Sequence, residues 1–264
     1  MKCYDFWYDN LKLSDFGFMI CSFDSGGTDT ISNGSEITFN QVSVLNGAKQ
    51  ELTSVQYDNC ITATIQICKN LCNDNNFEVS VEEMRNIMTW LNRKGFHKFK
   101  LIDDEYVGIY FESSFNVSKV EIGGKICGFE LEMTTNRPWA LQEPVEIVIN
   151  NDIANKICSF YSKSDEEGYV YPDMEIAIAS DGNLDIYSVT EDRHMVINNC
   201  KSGEVITIDY PIIQTSLNSH KIQNDFNWVF YRVSTSFKNK ENEFTASLPC
   251  SIKIKYSPIV KIGI

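Results

Sequence analysis

The chain has 264 residues, of which 43% are hydrophobic and 22% charged, with a net charge of −13. That size accommodates one large β domain or two ordinary ones, each with a sizeable core. The acidic balance excludes sequence-independent nucleic-acid binding, which needs basic surface to displace counterions. No apolar run approaches the roughly 20 residues of a membrane helix.

The opening MKCYDFWYDN carries acids and lacks an apolar core. It predicts no signal peptide, and hence a chain made and kept in a cytoplasm, or leaving it only by cell lysis. Residues 11–23 read as a turn and a buried strand, and residues 24–34, DSGGTDTISNG, as an exposed loop. Residues 36–58 read as a hairpin arm, because Asn46-Gly47 is a strong two-residue turn signal between partly alternating strands. Phe39, Val42, Val44, Leu45 and Leu52 are its apolar residues, too few and too scattered for a local core, so the arm is expected to pack on something else. Phe39, Val44, Asn46, Gly47 and Leu52 are the candidate interface residues.

Residues 60–68 read as a further strand. Residues 80–94 then predict the chain's one long helix. Ser80 and Glu83 fit a capping box, Val79 and Met84 a hydrophobic staple, and Met84, Ile87, Met88 and Leu91 an apolar face. Gly95 suits the left-handed residue after the helix. Two strands and a hairpin about Gly123-Gly124 follow, with Cys127, Phe129, Leu131 and Met133 facing inward. RPWALQEP, residues 137–144, breaks this rhythm. It divides the chain into domains 1–140 and 141–264.

The second domain reads as strands throughout, a β-sandwich. Met174, Ile176 and Ile178, then Ile206 and Ile208, then Ile252 and Ile254, alternate with polar residues. Asp181-Gly182-Asn183 reads as a hairpin turn, and residues 228–233 as a dense strand.

Chemistry leaves few marks. There is no GxSxG, P-loop, GxGxxG or HExxH pattern. The oxygen ligands of Asp181, Asn183 and Asp185 have calcium-like spacing without the rest of a calcium loop. The nine cysteines, of which Cys68 and Cys72 are nearest in sequence, read as reduced thiols, and three scattered histidines offer no zinc set. Trp7, Trp90, Trp139 and Trp228 are available for a sugar-stacking platform, although packing is the plainer role for each. A glycosidase would need two facing carboxylates, which no sequence pattern locates.

Four segments taken in order resemble the distal tail protein (Dit) family of long-tailed phages of Gram-positive bacteria and related tail-like particles. They are YDNLKLSDFGFMICSFDS, EEMRNIMTWLNRKGFHKFKLIDDEYVGIYF, GFELEMTTNRPWA, and NDFNWVFYRVS with FTASLPCSIKIKYSP. The resemblance implies a mainly β protein with one helix: an N-terminal β-barrel-like, ring-forming domain and a C-terminal galectin-like β-sandwich. It also implies a homo-hexamer at the virion tail tip, assembled in the host cytoplasm of a phage or prophage. That ring would join the tail tube protein to the tail-tip protein and carry receptor-binding or baseplate proteins. No catalytic residue, cofactor or metal, and no membrane or nucleic-acid contact, is implied. The competing reading is a carbohydrate-binding β-sandwich protein, marked by exposed aromatic rings beside polar side chains.

Overall fold

The helix begins where its cap predicts. In the computed structural model, which describes residues 3–23, 36–43, 50–57, 60–70 and 76–263, it spans Val81–Leu91. The Glu83 amide donates to Ser80 Oγ (3.2 Å), and the Ser80 amide donates to Glu83 Oε2 (2.7 Å). This reciprocal pair satisfies two donors that a helix start leaves free. The core-facing stripe is Ile87, Trp90 and Leu91, with Met84 packed beside it.

The helix stops at Leu91, three residues short of the expected 94. Asn92 is already outside helical geometry, and Arg93 turns back on the helix end. Its Nε donates to the Trp90 carbonyl (2.7 Å) and its Nη2 to Asp9 Oδ2 (2.6 Å). A side chain that satisfies a terminal carbonyl and reaches a carboxylate replaces the glycine-based stop. Gly95 has a positive φ of 91°, but in the turn beyond the helix.

The first unit is built around one antiparallel sheet. Its strands lie in the order Leu11–Lys12, Phe6–Tyr8, His97–Leu101, Ile109–Ile122, Lys125–Thr135, Thr62–Lys69 and Phe18–Cys21. The sheet is open, yet it curls. The Ile20 amide, in the strand at one end, donates to the carbonyl of Tyr4 (3.0 Å), just ahead of Phe6–Tyr8 near the other end. The inner face is aromatic. Phe6, Tyr8, Phe99, Phe111, Phe115 and Phe129 are all buried, and Trp90 lies on Phe6 (5.7 Å) and on Phe16 (4.4 Å). On the opposite parity Gly128 is buried too. A Cβ there would stand 2.1 Å from the Ile67 carbonyl oxygen, so only glycine lets these two strands approach.

The second unit is a sandwich of two antiparallel sheets. One runs Val145–Asn151, Cys250–Tyr256, Asp173–Ile178, Val205–Asp209, Ile212–Thr215. The other runs Ile157–Tyr161, Glu241–Ala246, Gly182–Ser188, Arg193–Cys200. Strict alternation sends Met174, Ile176, Ile178, Ile206, Ile208, Ile252 and Ile254 into the core. There they join Phe160, Leu184, Ile186, Met195, Ile197 and Phe244 from the other sheet.

Two local expectations are corrected here. Asp181-Gly182-Asn183 is no hairpin turn, because the strands on either side belong to different sheets. The chain crosses there, with Ala179 N–H bonded to the Pro249 carbonyl and Gly182 seated against Leu248. Residues 228–233 are not a strand. Asn227 takes up the edge bonds of Arg193–Cys200 with its side chain, Trp228 has φ 58°, and extended pairing resumes only at Val233–Thr235.

The contacts divide the chain into Met1–Gln142 with Val260–Ile264, and Glu143–Ile259. The sandwich is thus an insertion, and the chain's end returns to the first unit. Leu141, opposite Tyr110, belongs to the first unit's sheet. Val260 and Ile262 pack on the aromatic core, and the Tyr106 hydroxyl donates to the Gly263 carbonyl (2.9 Å). A fragment of residues 143–259 is therefore expected to melt cooperatively by itself. A fragment of residues 1–142 is expected to melt lower than the same fragment with residues 260–264 restored through a linker. Circular dichroism melts decide both points; equal melting of the two N-terminal fragments would deny the returning segment a role.

Candidate assembly surface

Strands Ile37–Ser43 and Gln50–Tyr57 form the hairpin, and among the described residues they pair only with each other. Residues directly opposite each other in an antiparallel pair share a face. Ile37 faces Tyr57, Phe39 faces Val55 and, after a register shift between Asn40 and Gln41, Gln41 faces Leu52. Ile37, Phe39, Leu52, Val55 and Tyr57 therefore line one side. Thr38, Asn40, Ser54 and Gln56 line the other, where Asn40 Nδ2 donates to Ser54 Oγ (2.9 Å).

The apolar side is uncovered. Ile37, Phe39, Leu52 and Val55 are between 43% and 57% exposed, and Tyr57 alone is half-buried, with its ring edge-on to Trp139 at 5.4 Å. A lone two-stranded hairpin is marginal in water, and an exposed apolar face on it is a candidate interaction surface. Of the candidate residues, Phe39 and Leu52 stand on this face; Val44, Asn46 and Gly47 lie outside the described residues. Sequence alone missed Ile37, Val55 and Tyr57, because the register shift hides their common side.

Other side chains with chemical potential are engaged elsewhere. Asp181 accepts from the Ser202 amide (2.8 Å) and Lys201 Nζ (3.2 Å), Asn183 accepts from the Asn199 amide (3.0 Å), and Asp185 meets His194 (2.9 Å). Their oxygens do not converge on a common point. Burial pushes the thiols of Cys200 and Cys250 up to about 11, and that of Cys158 upward, which is opposite to activation as a nucleophile. Trp90 is buried and Trp7 and Trp139 are half-buried; Trp228 stands exposed.

Family models of phage tail proteins cover almost the entire chain. A phage tail protein N-terminal domain matches residues 1–137, and a phage tail C-terminal domain matches residues 139–256. The chain belongs to the phage tail protein family. Its fold is that of a distal tail protein. It matches the crystal structure of the SPP1 Dit protein (gp 19.1), described as a paradigm of hub adsorption apparatus in phages infecting Gram-positive bacteria. The TM-score is 0.66 at 9% identity, over 97% of this chain and 99% of that one. No curated protein matches the sequence. In this phage tail protein the uncovered face belongs to the N-terminal matched domain, and the sandwich coincides with the C-terminal one.

Proposed function

We propose that this phage tail protein is the structural hub of a phage or prophage tail tip. Six copies close a ring that joins the tail tube protein to the tail-tip protein. Receptor-binding or baseplate proteins attach at the periphery. The observation that carries this reading is the uncovered apolar face of the hairpin, in a chain whose fold follows a hub protein from end to end. Head-to-tail burial of that face on the next copy forms a heterologous contact, the kind that closes rings when the rotation fits. Residues Phe39, Val44, Asn46, Gly47 and Leu52 belong to this arm. The role is mechanical, without catalysis, cofactor or metal, and the place is the virion tail tip after assembly in the host cytoplasm. Net charge of −13 suits a ring near passing DNA, since like charge opposes sticking.

Native mass spectrometry of the purified chain, alone and with its tube and tail-tip partners, tests this reading. Hexamers are expected, in equilibrium with monomer on dilution. A strictly monomeric or dimeric protein under all those conditions would sink it.

A further inference from the structure

At one end of the sandwich the rings form a connected, partly exposed array. Trp228 is 56% exposed, Tyr169 52% and Tyr210 46%. Tyr171 and Tyr210 stack in parallel at 3.9 Å, Tyr210 stands edge-on to Phe230 at 5.1 Å, and Phe230 packs on Phe226 at 5.0 Å. Trp228 rests on Phe226 at 5.6 Å. Phe226 and Phe230 are buried in the core, so the exposed rings stand on a fixed base.

Trp228 is held outward at an energetic cost. Its φ of 58° lies in the left-handed region, which bulky side chains rarely adopt. Asn227 fixes it there: Oδ1 accepts from the Val196 and Val229 amides (3.1 Å each), and Nδ2 donates to the His194 carbonyl (3.0 Å). A strained, clamped and exposed indole indicates a ligand that uses its face.

Polar groups lie next to the rings. Tyr171 precedes Asp173 by two residues, and Tyr210 follows Asp209. Those carboxylates, with Glu175, Thr207, Lys253 and Lys255, line a cleft of about 320 Å³ on the outer side of the five-stranded sheet. Flat rings receive the C–H face of a pyranose, and carboxylates, ammonium groups and a hydroxyl receive its hydroxyls. Charge narrows the class. Arg232 lies over Tyr169 at 4.0 Å but is bound to Glu191 (2.9 Å), and Lys253 is bound to Glu146 (2.9 Å). The cleft lining carries four carboxylates, Glu146, Asp173, Glu175 and Asp209, against two ammonium groups, Lys253 and Lys255, a balance that disfavours a phosphate or sulfate. A dry protein surface would bury four carboxylates with only two ammonium groups among them, at a large desolvation penalty.

We propose that this end of the sandwich binds a neutral saccharide, stacked on Trp228 and Tyr210, with its hydroxyls bonded by polar groups on the Tyr210 side, where Asp209 opens the cleft. The proposal goes beyond the hub role and does not depend on it, because sugar binding and ring formation are read separately. The full-length protein is applied to an array of uncharged and of phosphate- or sulfate-bearing bacterial oligosaccharides. Isothermal titration with the free oligosaccharides that bind then follows. Binding to uncharged sugars alone is expected. Trp228→Ala and Tyr210→Ala should each weaken it about tenfold, as loss of one aromatic contact implies, with oligomeric state unchanged and both variants folded at the temperature of the titration. Absence of any neutral ligand, binding restricted to anionic sugars, or affinity indifferent to both variants overturns the proposal. So does release of a protein partner by Trp228→Ala with sugar binding intact.

Discussion

Replacing Phe39, Leu52 and Val55 together by Ser is expected to abolish the ring and leave a folded protomer with a nearly unchanged melting temperature at low concentration. The three side chains share the uncovered face of the hairpin, and each is at least half exposed in the single chain. Removing them takes little from the protomer, because they contribute little to its core. In the proposed ring the same surface leaves water. Full burial of an aliphatic or aromatic side chain is worth about 1.5–3 kcal/mol, and roughly half of that remains to be gained here. Three such losses at every interface amount to a few kcal/mol per contact, repeated around the ring. Native mass spectrometry and a dilute-solution melt read the two quantities independently. A variant that unfolds the protomer, while the protein that stays folded still forms rings, would place the hairpin in its own domain's core.

What the sequence made legible follows how local each signal is. The capping box of Ser80 and Glu83 is closed within four residues, so it could be read and it formed. The sandwich core was legible for a similar reason. Met174, Ile176 and Ile178 alternate within a single strand, and burial follows parity. The stop of the helix was not legible, since Arg93 is drawn away by Asp9, 84 residues distant in sequence. Nor was the break at Trp228, which depends on Asn227 reaching across to Arg193–Cys200. The crossing at Gly182 resembles a hairpin because a turn sequence does not record which sheet the next strand joins. The hairpin arm was visible as a weakly cored segment. Its apolar face was not, because a register shift between Asn40 and Gln41 decides which residues share a side.

Truncating Glu204 to Ala is expected to destabilise the sandwich by about 3 kcal/mol or more, because several buried groups lose their shared hydrogen-bond partner at roughly 1–3 kcal/mol each. The Glu204 side chain is 0% exposed and that of its partner His220 4%. His220 Nδ1 lies 2.6 Å from Glu204 Oε1, and its Nε2 lies 3.4 Å from Asp225 Oδ2. The Lys201 amide donates to Glu204 Oε2 (2.9 Å), and the Thr215 hydroxyl donates to Oε1. One carboxylate thus ties the turn at residues 201–204 to the end of the strand Ile212–Thr215 and to the short helix Ile222–Asp225. Burial alone would raise its pKa. The hydrogen bonds from Thr215, His220 and the Lys201 backbone outweigh that and hold it below the usual carboxylate value. A carboxyl lowered in the folded state contributes stability that is complete above its unfolded value and is lost as pH falls through the folded one. The melting temperature of the isolated 143–259 fragment should therefore drop as pH falls below about 4.5, the ordinary glutamate value. Glu204→Gln should melt lower at neutral pH and show a shallower acid decline, because the titrating group is gone. If the Gln variant declines as steeply as the parent in that window, the acid lability arises from other carboxylates and Glu204 is no more than a spacer in the fold.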